Sequence, residues 1–133
     1  MIEENQRVEL KKTFTAKDVE TYFLLTGDSN PRYTEKTIGG RQIVPTGLLM
    51  GLISSILGTK LPGRGTNWLK QKLFFPEAAF TGEEITTIME VTSVRPEKKL
   101  VYLHAECTTG NGKTVCTGES LVLVQDPASP AQE

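Results

Sequence analysis

The chain has 133 residues, with 15 Lys and Arg against 16 Asp and Glu and a formal net charge of −1. That length fits one domain with its own hydrophobic core. The absence of any basic run or stripe argues against a nucleic-acid partner. The polar start from Met1 to Arg7 lacks the basic, then apolar pattern of a signal peptide. The longest weakly polar stretch, Ile43 to Leu57, is too short for an ordinary membrane span, so no membrane contact is expected. Cys107 and Cys116 lack metal-ligand spacing and read as free thiols of a reducing compartment, which places the protein in the cytoplasm; a cross-strand pair stays open.

Arg7 to Phe14 alternates weakly and reads as a first strand. Thr15, with Asp18 three residues on, has the form of a capping box, and Val19, Tyr22, Phe23 and Thr26 then recur at helical spacing. Gly27 reads as the residue that ends this helix, and the turn formers Asp28, Ser29, Asn30 and Pro31 come directly after it. Tyr33 to Gln42 reads as loop. Pro45 and Thr46 open a second helix, with Thr46 standing where an N-cap would. Leu48, Leu49, Leu52, Ile53, Ile56 and Leu57 make that helix apolar around much of its circumference, which predicts a buried helix. Its small residues Gly51 and Ser54 would let another backbone approach.

Gly58 ends the helix, and Leu61 to Gly65 is a loop. The remainder reads as strands over Thr66 to Phe75, Glu84 to Val94, Leu100 to Thr109 and Lys113 to Val124. Arg95 to Lys99 turns between the middle pair, and Asn111-Gly112 signals a hairpin between the last two. Residues 1–125 form a single domain in this reading, and the Pro- and Ala-rich segment 126–133 is a loose tail. Two helices followed by a long antiparallel run is an α+β pattern. A sheet curled around one central helix is the hot-dog architecture.

Within that order, the loop Gly27-Asp28-Ser29-Asn30-Pro31 leaves the first helix; Ile43-Val44 leads into the central one, and Leu57 to Gly65 leaves it. The strand carrying Leu69, Gln71, Leu73 and Phe75, the Gly82-Glu83-Glu84 step and the final hairpin complete the pattern. Together these segments resemble the MaoC-like, R-specific enoyl-CoA hydratases over most of the chain. The resemblance implies syn addition of water across a trans-2-enoyl thioester, with neither metal nor redox cofactor. It implies an aspartate and a histidine that handle the proton, and backbone N–H groups near the start of the central helix that bind the thioester oxygen. Oriented N–H donors at a helix N-terminus suit a developing negative charge.

Asp28 matches the aspartate of that pattern. An acid just past a helix C-terminus faces the negative end of the dipole, a setting that suits a general base, and an Asx turn is the plainer reading of the same residue. Asn30 either orients Asp28 or a water, or serves only as a turn residue before Pro31. The chain departs from the family at Tyr33, which stands where the histidine normally lies. A phenol donates hydrogen bonds but is a poor base near neutrality, so Tyr33 either positions water or fills the space of the missing imidazole in a protein that only binds. A second departure is Pro45-Thr46-Gly47, where the family commonly has His-Gly and an apolar residue. Pro45 has no N–H, while the amides of Thr46 and Gly47 could still hold the carbonyl oxygen. Gly51 falls where many relatives carry a serine.

His104 alternates with Val101, Leu103, Ala105 and Cys107 and therefore faces away from the helix. Arg64, near Lys60 and Lys70, either meets the phosphates of CoA or is solvated surface, and Trp68 reads as core or dimer contact. The expected partner is an acyl-CoA or acyl-carrier-protein thioester. The expected assembly is a homodimer formed by edge pairing, with higher oligomers or a heteromer with another hot-dog subunit left open. Two other functions compete with hydration. One is a non-catalytic acyl-thioester module or silent subunit; the other is thioester hydrolysis by the same aspartate.

Overall fold

The computed structural model describes residues 2–35 and 40–124. Strand β1 spans Arg7–Thr13, helix α1 Ala16–Thr26, the short helix α2 Pro31–Thr34 and helix α3 Thr46–Thr59. Strands β2 (Asn67–Phe74), β3 (Glu84–Arg95), β4 (Leu100–Thr109) and β5 (Thr114–Leu123) complete the chain order. All five strands join one antiparallel sheet in the order β1-β3-β4-β5-β2, with α3 packed against β3 and β2. This is the hot-dog architecture.

Helix α1 begins with the capping box that Thr15 and Asp18 predict. The Thr15 hydroxyl accepts from the Asp18 N–H at 3.1 Å, and the Asp18 carboxylate accepts from the Thr15 N–H at 2.9 Å. Gly27 ends α1 at φ 75°, where its N–H donates to the Phe23 carbonyl at 2.8 Å. The loop expected from Tyr33 begins with a turn of helix instead. Asn30 caps that turn through its side chain, and Pro31 occupies its first position, where no N–H is needed. Residues 36–39 of the expected loop, and the tail expected from 126 onward, lie outside the described residues.

Thr46 is the first residue of α3 rather than its cap. Pro45 takes the cap position with no side-chain hydrogen bond, because its ring carries no acceptor, and the Thr46 hydroxyl is turned toward Tyr33. Nor is α3 enclosed on all sides. Leu49, Leu52, Ile53, Ile56 and Leu57 are buried, while Met50, Gly51, Ser54 and Ser55 are exposed. The burial of one face is what half-wrapping by a single sheet gives.

Across β4, Val101, Leu103, Ala105 and Cys107 join the core with α3, while His104 lies outside and its Nδ1 is 2.8 Å from Glu119 Oε1. His104 belongs to a row in register across the sheet: Arg7, Glu90, His104, Glu119 and Lys72. Charges of opposite sign thus face each other on the outer surface, as cross-strand pairing favours.

Cys107 and Cys116 stand opposite one another in the β4–β5 ladder; both are free and buried. The hydrogen bond that Cys116 donates to Cys107, and then burial, push the Cys116 thiol far up, while the same bond lowers Cys107 below its ordinary value. Because both thiols are fully buried, a thiol reagent is expected to leave them untouched in the native protein and to titrate both once urea unfolds it. Rapid labelling of the native protein would contradict this packing.

Candidate active site

The last turn of α1, the loop after it, α2 and the start of α3 meet in one place. The αL residue Gly27 turns the chain sharply out of α1, and Thr26 anchors the turn. Its hydroxyl donates to the Tyr22 carbonyl at 2.7 Å and accepts from the Asp28 N–H at 3.1 Å. Asp28 Oδ1 then accepts from the Asn30 N–H at 3.0 Å, closing an Asx turn. One carboxylate oxygen is thus committed to the loop. The other, Oδ2, lies 3.5 Å from the Tyr22 hydroxyl.

Asn30 acts on Asp28 through its backbone, while its side-chain oxygen accepts from the Arg32 N–H at 3.0 Å as the α2 cap. Both turn roles are present in the structure. Helix α2 directs Tyr33 inward, where it is 9% exposed. Its hydroxyl lies 3.3 Å from Thr46 Oγ1, and its carbonyl accepts from Gln42 Nε2 at 3.4 Å. Tyr33 therefore ties the Asp28 loop to the first residue of α3.

Thr46 and Gly47 are the first two residues of α3, so their N–H groups have no intrahelical acceptor and sit at the positive end of the helix dipole. Gly47 lies directly against the phenol of Tyr22: a Cβ at this position would overlap the Tyr22 hydroxyl and ring edge. Burial, then the charge of Asp28 and the proximity of Tyr33, push the Tyr22 ionisation above its ordinary value of 10.0. The two phenols and the carboxylate thus share one electrostatic environment at the helix start.

A small cavity of about 70 Å³ opens beside Tyr33 and Thr46, lined also by Arg32, Leu49 and Phe75. A more open groove is lined by Tyr22 together with Phe14, Leu25, Thr26 and Leu48. The small cavity holds a few atoms, far less than an acyl thioester. Among the described residues, no cluster of three His, Cys, Asp or Glu could hold a metal ion. No helix among them is long and apolar enough to cross a membrane.

Asp28, Tyr33, Thr46 and Gly47 are therefore brought together. Arg64 is not: it is exposed in the loop beyond the far end of α3. That 14-residue helix puts about 20 Å between its two ends. Tyr22 is the site residue that the sequence pattern alone does not single out. Its helical spacing from Val19 marks it as inward-facing, and its place in the last turns before Asp28 is the signal that could have drawn it in.

No family model matches the chain. Two (R)-specific enoyl-CoA hydratases are among the sequences that match over most of its length. The (R)-specific enoyl-CoA hydratase of Rhodospirillum rubrum is 36% identical, covering 92% of this chain and 88% of that one. The (R)-specific enoyl-CoA hydratase of Aeromonas caviae is 35% identical over 91% of this chain and 94% of its own. The solved structure of the (R)-hydratase from A. caviae involved in PHA biosynthesis superposes with a TM-score of 0.86, covering 92% of this chain and 97% of that one at 35% identity. The fold defines a hot-dog protein, and these likenesses make the assignment finer. The chain belongs to the MaoC-like, (R)-specific enoyl-CoA hydratase family.

The contact at Gly47 yields a stability contrast. Gly47→Ala is expected to cost about 1–3 kcal/mol by overpacking against Tyr22. Gly58→Ala, with open space around its Cβ in the same helix, is expected to be neutral or to stabilise by up to about 1 kcal/mol. Urea unfolding of the two variants measures both; equal effects would mean that Tyr22 does not press on Gly47.

Proposed function

We propose that the protein adds water to 2-enoyl thioesters of CoA or acyl-carrier protein, and in reverse dehydrates (R)-3-hydroxyacyl thioesters. The observation that carries this reading is the placement of the Asp28 carboxylate one phenol away from the first turn of α3. Hydration needs both groups at that separation. A base must take a proton from water while the thioester oxygen gains negative charge a few atoms along.

In this scheme the water oxygen bonds to the β-carbon, and one water proton passes to Asp28. The C=C electron pair moves toward the thioester oxygen, giving an enolate held by the Thr46 and Gly47 amides. The enolate then collapses, and the α-carbon takes the proton back from Asp28. Proton removal and return by one carboxylate from one face give syn addition. Tyr33, bound to Thr46, keeps the loop at the distance this transfer requires, and Asn30 holds Asp28 through its backbone.

A second reading rests on Tyr33 itself. A buried phenol engaged with Thr46 is not a free base, so the same pocket would suit a subunit that binds an acyl thioester without turning it over.

The sheet edges favour a homodimer. The β1 edge carries Arg7, Glu9, Lys11 and Lys12, charges that guard it against pairing. The β2 edge exposes Leu69 and Phe74, and the buried Trp68 Nε1 finds no acceptor among the described residues. Pairing of β2 with its copy would cover this surface and extend the walls of a site too shallow for an acyl chain within one subunit. A Leu69→Lys/Phe74→Lys variant is accordingly expected to be monomeric by light scattering, and a dimer persisting in it would place the interface elsewhere.

The activity test is loss of enoyl absorbance when the purified protein meets crotonyl-CoA, followed by chiral analysis of the alcohol. Formation of the (R)-alcohol is expected. Asp28→Asn should lower kcat by about 100-fold or more with little change in melting temperature. Thioester binding without turnover would favour the silent-subunit reading, and release of free thiol would favour hydrolysis.

A further inference from the structure

The hydroxyl of Tyr22 is a polar group that the scheme above does not use. Tyr22 lies on the inward face of α1 with Val19, one turn before Gly27 ends the helix. Its hydroxyl sits between the Asp28 carboxylate and the backbone of Gly47. Three observations give this position a purpose.

Asp28 uses Oδ1 to close its Asx turn, so Oδ2 is the oxygen left for chemistry, and the side chain facing it is Tyr22. Gly47 has no side chain, and the phenol fills that vacant volume, which lets the hydroxyl reach the first turn of α3. The other phenol of the site, Tyr33, is turned to Thr46, so the two tyrosines serve different partners.

We propose that Tyr22 is a positioning residue for hydration: its O–H donates to Asp28 Oδ2 and holds the carboxylate between α1 and the amides of α3. The inference rests on the hydratase reading and deepens it. Tyr22 keeps its proton throughout; water gives its proton to the lone pair of Asp28 that the phenol leaves open. The raised ionisation of Tyr22 keeps it a donor across the neutral range. The 3.5 Å separation is long for an O–H···O bond, and exclusion of water by substrate would tighten it. Two phenols thus divide the work, Tyr33 fixing the oxyanion end and Tyr22 fixing the base.

The test compares Tyr22→Phe, Asp28→Asn and the unaltered protein in two measurements. With crotonyl-CoA, Tyr22→Phe is expected to keep KM within about twofold and lower kcat by about tenfold or more, at unchanged melting temperature. In an alkaline tyrosinate titration, the unaltered protein should show a late-ionising tyrosine that is missing from Tyr22→Phe and ionises earlier in Asp28→Asn. An active protein whose Tyr22→Phe variant is equally active overturns the inference and leaves the hydratase reading intact. Unchanged tyrosine ionisation in Asp28→Asn also overturns it, by removing the contact. An inert unaltered protein overturns the hydratase reading and this role with it.

Discussion

The structure depends on the burial of one face of α3 against a single curled sheet. Leu49, Leu52, Ile53, Ile56 and Leu57 enter the core with residues of β3, β4 and β5. Each such side chain contributes about 1.5–3 kcal/mol when fully buried. Their spacing fixes the rotation of the helix about its axis. Once that is set, Thr46 and Gly47 at its first turn face the end of α1 with N–H groups that have no intrahelical acceptor. Core packing some distance away thus places the start of the helix, and the Tyr33–Thr46 contact joins the Asp28 loop to it.

Around that fixed point the chain uses short-range devices to place a carboxylate. Gly27 turns the backbone, Thr26 pins the Asp28 amide, and Asn30 closes the turn and starts α2. The result is a loop with few free dihedrals, so little ordering remains for a ligand to complete. Tyr33 links this loop to α3. Where the family pattern has an imidazole, a phenol 3.3 Å from Thr46 joins the loop to α3, and in the proposed scheme the proton transfer falls to Asp28.

Features governed by neighbours in sequence are legible without the structure. The capping box of α1, the end at Gly27 and the alternation of β4 each need only a few consecutive residues, and they lie where the pattern puts them. The turn of helix at Pro31 escapes such a reading because its cap is the side chain of Asn30, which also reads as an ordinary turn former. The exposed side of α3 escapes it because Leu48 and Met50 raise the apparent apolarity of a helix whose Gly51, Ser54 and Ser55 share one outward strip. Asp28 is visible through the loop pattern around it. Tyr22 is not, since its importance comes from Gly47, a residue far along the chain that meets it only after the core has formed.

That last contact binds the history of two positions together. A ring in the pose of Tyr22 and any side chain at 47 exclude each other, so neither position can drift alone. The glycine has to be in place before the phenol can settle there. The two positions are therefore coupled by volume: a side chain at 47 requires a smaller or displaced one at 22.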